Sequence, residues 1–504
     1  MESNSKQSVL HPIMFAGTGS DVGKSIIAAA FCRIFKQDGY HPAPFKAQNM
    51  ALNSFATPEG LEIGRAQAVQ AEAAGIPCHT DMNPLLLKPQ SDCTSQVVLH
   101  GRPIGNRSAC EYFQKGKREG LRKEVCQAYD RLAALYNPIV LEGAGSISEI
   151  NLREVDIVNL PMAIHAKADV ILVADIDRGG VFASVYGSIQ LLTAEERKRV
   201  KGILINKFRG DIRLFESGVK MMEDLCHLPV IGVVPYYKDI FIEEEDSVAL
   251  STKRIQAEQG KVNIAVVLLR HMSNFTDFNV LEQDPRVHLF YTNNVEELLK
   301  ADIILLPGTK STINDLYELR RNGVAQAIMQ ACRKGTSIMG ICGGYQMMGQ
   351  QINDPDHVEG SQEVMPGLGL LPVSTTIMGD KVTRQTFFTL ASNPSGEKME
   401  GYEIHMGHTT PTDGTASSPL NIITEEETDG YLLNEKCMGS YIHGILNNAP
   451  FIDFLLAPHA EKLKGKSHFD YHTFKEEQYN KLADHVRKHI NLALVYQILT
   501  DNHD

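Results

Sequence analysis

The sequence predicts an α/β protein with two doubly wound, mostly parallel-sheet domains and a helical C-terminal tail. Three observations carry this. Short runs of Val, Ile, Leu, Phe and Ala recur between longer helical segments. They are apolar throughout instead of alternating, as in strands covered on both faces. The rhythm lapses over residues 237–261 and then resumes. HPIMFAG, NPIVLEGAG, DVILVADI, VKGILINKF and LPVIGVVP form the first series; KVNIAVVLL, ADIILLPG, GTSIMGIC and GYLLNEKCMGSYIHG form the second. The acidic stretch between them reads as a linker. From Phe451 onward, Leu455, Leu456, Leu482, Val486, Ile490, Leu494 and Ile498 fall at helical spacing. The expected division is thus 1–236, 237–261, 262–450 and 451–504.

Composition narrows the function. The 504 residues are 43% hydrophobic and 22% charged, which excludes a largely disordered chain. No run approaches the roughly 18 apolar residues of a membrane helix, so no membrane partner is expected. The N-terminus lacks a basic stretch leading into an apolar one, so no secretory signal is expected. A net charge of −12 sets aside a general nucleic-acid binder. It still allows an anionic small ligand in a locally positive pocket. Nine cysteines without CxxC pairs point to a reducing cytoplasm and away from a zinc cluster or disulfide framework. Nothing in the sequence reports the oligomeric state.

The first chemical signal is Thr18 to Ser25, a Gly-rich turn between the strand HPIMFA and the amphipathic run IIAAAFCRIF. Backbone amides around Gly19 and Gly23, with a helix N-terminus behind them, suit phosphate oxygens. Lys24 would meet the charge of the transferred phosphate of ATP, and Ser25 would ligate Mg²⁺. Thr18 stands where such loops usually have their first Gly, with Gly17 just before it. In such sheets ligands sit at the carboxyl ends of strands, so the polar residues closing them are candidates. Glu142 would hold Mg²⁺, Asp175 and Asp177 would order metal or nucleotide, and Asn206 with Lys207 would read and cover a purine. Amide and basic side chains crowd FKAQNMALNS, EIGRAQAVQAEAAG and MNPLLLKPQSD: Lys46, Gln48, Asn49, Asn53, Arg65, Gln67, Gln70 and Lys88. They suit a large substrate bearing many carboxylates and amides. Asp156, or Glu154, is the candidate acid near an acyl phosphate.

The second signal is Gly340-Ile341-Cys342-Gly343-Gly344-Tyr345-Gln346, a cysteine on a sharp strand-to-helix turn between small neighbours. A helix start favours the thiolate. His443, 101 residues later in GSYIHG, is the candidate base. Backbone amides of Gly343 and of Gly308 or Thr309 would form an oxyanion hole. His405 and His408 divide between scaffold and site.

Together these segments resemble a known family. LPGTKST, GICGGYQMMG and GSYIHG are similar to class I glutamine amidotransferase domains with a Cys nucleophile, in their cobyric acid and cobyrinate diamide synthase branch. GTGSDVGKS, APFKAQNMALNS, EIGRAQAVQAEAAGI, MNPLLLKP, LEGAGS, ADIDRGGVFAS and INKFRGD resemble the dethiobiotin-synthetase-type ATP domain of the cobyric acid synthase family. The resemblance implies ATP- and L-glutamine-dependent amidation of the b, d, e and g carboxylates of adenosylcobyrinic a,c-diamide, an anionic corrinoid, in cobalamin biosynthesis. It makes Cys342 the nucleophile and His443 its partner, puts Gly23, Lys24 and Ser25 on ATP, and makes Glu142 the Mg²⁺ carboxylate. Ile445 stands where the common triad has Glu, which leaves open what orients His443. Ammonia must travel unprotonated, so a sheltered path is expected. The alternatives are cobyrinate a,c-diamide synthase and a non-enzymatic partitioning-type ATPase. The second would have no use for the cysteine turn.

Overall fold

The computed structural model describes residues 9–89, 94–108, 115–243, 253–360, 362–412, 414, 416–463 and 469–501. By contacts the chain divides into two units. The first is Met1–Met50, Ile63–Ile242 and Phe474–Asp504; the second is Ala51–Glu62 and Glu243–Thr473. This interleaved division differs from the contiguous one expected from sequence, because two stretches of side chains fit the more distant unit.

In the first unit all five predicted strands form, and a sixth, Ala43–Phe45, joins them. Across the sheet the order is Val230–Pro235, Val200–Phe208, Asp169–Asp175, Ile13–Gly17, Ile139–Glu142 and Ala43–Phe45, every pair parallel. The strands are apolar because helices cover both faces. Helix Lys24–Gln37 buries Ile27, Phe31 and Phe35, with the Phe31 ring 4.7 Å from that of Phe15. A separate four-stranded sheet, Gln48–Met50, Leu85–Pro89, Thr94–Leu99 and Arg102–Ser108, carries part of the amide-rich sequence.

The tail completes this unit. Helix Tyr471–His489 and helix Leu492–Thr500 break at Ile490, whose residue pairs with Gly232 on the edge strand. Tyr479, Leu482, Val486, Val495 and Leu499 are buried in the same core as Phe31 and Phe35. Arg33 ties helix Lys24–Gln37 to helix Tyr471–His489, donating to Asn480 at 2.9 Å and to Glu476 at 2.7 Å. Each fully buried Leu or Val contributes about 1.5–3 kcal/mol, so the tail is a main component of the fold.

The second unit holds a sheet ordered Val287–Thr292, Val262–Val267, Ile303–Leu306, Ser337–Ile341, Cys437–Ser440 and Tyr431–Asn434, parallel except for the last strand. A long antiparallel hairpin, Val373–Leu390 with Met399–Pro411, lies outside the sequence expectation. Its strands alternate buried and exposed residues (VSTTIMGDK), a pattern unlike the continuous apolar runs used to find the others. The linker packs in part: Ile242 and Glu243 are buried, while 244–252 fall outside the described residues.

Candidate active sites

In the first unit the loop after Ile13–Gly17 turns on left-handed residues, Asp21 at φ 57° and Gly23 at φ 94°. The shift of the usual first Gly has a steric reason. A Cβ at Gly17 would stand 2.8 Å from the Gly19 carbonyl and 2.9 Å from Lys24 Nζ, which folds over it. Lys24 Nζ donates to the carbonyls of Gly19 and Gly145, both at 2.9 Å. Burial lowers its pKa from 10.5 to about 8, against the attraction of Glu142.

Glu142 ends its strand, in register with Phe15, and gathers four donors from three segments. Ser25 Oγ and Lys46 Nζ each reach Oε1 at 2.7 Å; Gln70 reaches Oε2 at 2.7 Å and Gln67 at 3.5 Å. Burial pushes this carboxyl up, but Lys46 and the hydroxyl and amide donors outweigh it and hold it below its ordinary range. Asn49 donates to Gln67 at 3.1 Å, and Gln48 accepts from Arg118 at 3.0 Å. Lys46, Gln67 and Gln70 thus meet at Glu142, and Asn49 joins them through Gln67. Arg65 is buried and pairs with Glu72 at 3.5 Å; Lys88 is buried on its strand opposite Gln96. Arg118, buried in a helix, carried no sequence signal beyond its charge.

Several candidates take other roles. Asn206 donates to the Val22 carbonyl at 2.8 Å, so its amide nitrogen braces the loop. A Cβ at Gly23 would lie 2.2 Å from that nitrogen, which is why the loop has Gly there. Lys207 pairs with Asp175 at 3.1 Å and Asp177 with Arg209 at 2.7 Å, so these strand-end carboxylates neutralise neighbouring cations. Asp156 accepts from the amides of Val158 (2.7 Å) and Asn159 (3.2 Å), and Asn159 in turn clamps Ala144 in the LEGAGS loop. Asp156 Oδ1 is taken up by this turn, and Glu154 is exposed. Asn53 is a correction: it belongs to the second unit, fully buried, accepting from Phe275 N–H at 3.2 Å. The segment carrying it is buried against second-unit side chains, so Asn53 stands apart from the side chains gathered at Glu142.

In the second unit Cys342 sits at φ 51°, ψ −111° between the strand Ser337–Ile341 and the helix Gly343–Met348. Glycines permit the elbow: a Cβ at Gly344 would stand 2.0 Å from the Leu306 carbonyl. The partner strand Cys437–Ser440 runs parallel with Ile341 opposite Ser440, and Cys342 N–H donates to Ser440 at 2.8 Å. That register brings His443, three residues past the strand end, to Cys342. The imidazole is 1% exposed, and the cysteine sulfur adds to the forces that hold its proton; the Cys342 thiol itself donates to the Ile404 carbonyl at 3.7 Å.

Asp277, which sequence reasoning missed, is the orienting residue. Its Oδ2 lies 2.7 Å from His443 Nδ1 and its Oδ1 accepts from Gly444 N–H at 2.8 Å. A carboxylate only accepts, so Nδ1 carries a proton and Nε2 faces the sulfur. Burial would lower the imidazole's pKa, but Asp277, with Cys342, outweighs it and raises it from 6.5 to about 10. Asp277 precedes His443 by 166 residues, in a turn with no motif of its own. Thr309 N lies 3.1 Å from where a Gly343 Cβ would be, so Thr309 packs against the residue that follows the cysteine; the Gly308 carbonyl accepts from Ser273. Gln346 receives the Thr312 hydroxyl at 3.1 Å. His405 stacks on Tyr441 at 3.9 Å and bonds Glu403 at 3.2 Å, a scaffold role; His408 is exposed.

Residues 13–248 match the CobQ/CobB/MinD/ParA nucleotide binding domain, and residues 263–451 match the CobB/CobQ-like glutamine amidotransferase domain. A cobyric acid synthase of Bacteroides fragilis is 75% identical over 98% of this chain and 99% of its own. The chain belongs to the cobyric acid synthase family. Family members from Phocaeicola vulgatus (72% identical over 98% of this chain and 99% of theirs) and Parabacteroides distasonis (57%, over 97% and 98%) agree over nearly the full length. Among the described residues no helix is long and apolar enough to cross a membrane.

Proposed function

We propose that the chain amidates the b, d, e and g carboxylates of adenosylcobyrinic a,c-diamide, using ATP and L-glutamine, in the cytoplasm. The observation that carries this reading is one chain holding both a Cys342–His443–Asp277 triad and a phosphate loop facing a buried carboxylate.

Cys342 Sγ attacks the glutamine carboxamide carbon, and the oxyanion is met by the amides of Gly343 and of Thr309 or Gly308. His443 gives its proton to the departing nitrogen, leaving a thioester. It then takes a proton from water as the thioester is hydrolysed to glutamate. In the first unit a substrate carboxylate oxygen attacks the γ-phosphorus of ATP and ADP leaves. Ammonia then displaces phosphate from the acyl phosphate to give the amide. Lys24 and the amides around Gly19 and Gly23 hold the phosphates, and Asn206 and Lys207 keep the loop in shape for them. Lys46, Gln48, Asn49, Arg65, Gln67 and Lys88 supply donors for an acidic substrate, and Asp156 steadies the LEGAGS loop beside them.

The donor set fits Mg²⁺. Ser25 Oγ and Glu142 supply the hard oxygens such an ion takes, with phosphates and water completing its shell. Bound there, Mg²⁺ would neutralise charge on the β- and γ-phosphates. The test is mass spectrometry of the product formed from the a,c-diamide with ATP and glutamine. Four added amides support the reading, and none overturns it.

A further inference from the structure

The chain leaves the first unit after Met50, gives Ala51–Glu62 to the second, and returns at Ile63. Four of its polar residues, Asn53, Ser54, Thr57 and Glu62, are each at most 1% exposed. Buried polar groups cost stability unless bonded, so their partners show what the segment does. Glu62 accepts from Ser54 Oγ at 2.7 Å and pairs with Lys381; Gln385 donates to the Ala56 carbonyl at 3.1 Å. These contacts pin the segment to the long hairpin. Two others reach the glutaminase. Asn53 Oδ1 accepts from Phe275 N–H at 3.2 Å, and Ser54 N–H donates to Asn274 Oδ1 at 2.9 Å. Both grip the turn Asn274–Phe278, entered through a left-handed Asn274 (φ 53°), which presents Asp277 to His443. The Phe55 ring packs on Tyr402 at 4.6 Å, and Tyr402 stacks on His443 at 5.3 Å and exchanges both backbone hydrogen bonds with it.

We propose that Asn53 is a positioning residue for glutamine hydrolysis: with Ser54 it fixes the turn that aims Asp277 at His443. The inference rests on the triad reading. Asn53 bonds the backbone of the turn and not Cys342 or His443, so it acts on the reaction through Asp277. Its loss therefore lets the carboxylate drift, which weakens the hold on the imidazolium and leaves the amidation chemistry intact.

The experiment uses the full-length enzyme and compares Asn53→Ala, Asn274→Gly and Asp277→Asn. Gly tolerates the left-handed turn, so Asn274→Gly removes only the acceptor for Ser54. The measurements are glutaminase kcat and KM across pH, and ATP-dependent amidation supplied with ammonia. For Asn53→Ala and Asn274→Gly we expect kcat down roughly tenfold, KM for glutamine within about twofold, the alkaline limb moved to lower pH, and ammonia-dependent synthesis at the wild-type rate. A wild-type pH profile in both variants, while Asp277→Asn shifts it, overturns the proposal and leaves the triad. A wild-type profile in Asp277→Asn overturns the triad reading itself. Equal loss of ammonia-dependent synthesis in both variants, or a raised KM for the corrinoid in Asn53→Ala, overturns it in favour of a structural or substrate-binding role.

Discussion

The two candidate sites use a buried carboxylate in opposite ways. Glu142 is surrounded by donors in excess: a lysine, a hydroxyl and two amides share its two oxygens. Asp277 has one imidazole on one oxygen and one backbone amide on the other. The first arrangement suits a place that must accept a highly charged nucleotide and exchange partners as it does so. The second suits a place where one proton must stay on one nitrogen. Redundant bonds tolerate rearrangement, whereas single bonds impose direction.

The largest effect that separates the two sites comes from their reacting groups. Lys24→Ala should lower both glutamine- and ammonia-supported amidation by about 10³-fold or more. Cys342→Ala should abolish only the glutamine-supported reaction. Assays with each nitrogen source decide this, and ammonia-supported product at the wild-type rate in the lysine variant would break the contrast.

Asp277→Asn should cost glutamine hydrolysis roughly 10²-fold and leave ammonia-dependent synthesis alone. The sign of its pH effect follows from the shift. His443 keeps its proton up to about pH 10 because Asp277 and Cys342 outweigh burial. Its stabilising contribution is fully present below pH 6.5, the ordinary value, and fades as pH rises through about 10. Without the carboxylate, burial pulls the pKa down, so the alkaline limb of kcat should move to lower pH. An unchanged limb would show that the pair does not control the proton.

The smallest expected effect on catalysis is in the tail. Leu482→Ala or Leu499→Ala removes a fully buried side chain and should destabilise the first unit by about 2–5 kcal/mol. Thermal denaturation would show it, with kcat at low temperature near wild type. An unchanged melting temperature would remove the tail from that core.

The phosphate loop, the cysteine turn and all nine first-noticed strands were legible because each is local: a few consecutive residues carry the pattern. Asp277 was not, since its role comes from sheet register and turn geometry over a separation of 166 residues. Asn53 misled because it stands four residues after Asn49 in an amide-rich run, yet its side chain is buried in the other unit. The Val373–Pro411 hairpin escaped because its strands are half-wet.

The closing of the first unit by the chain's last helices has a consequence for biogenesis. Helix Lys24–Gln37 emerges from the ribosome early, but the residues that roof it, Tyr479 to Leu499, are made more than four hundred residues later. Until those residues are made, a greasy strip stays uncovered on an otherwise assembled nucleotide fold, open to chaperones or to aggregation.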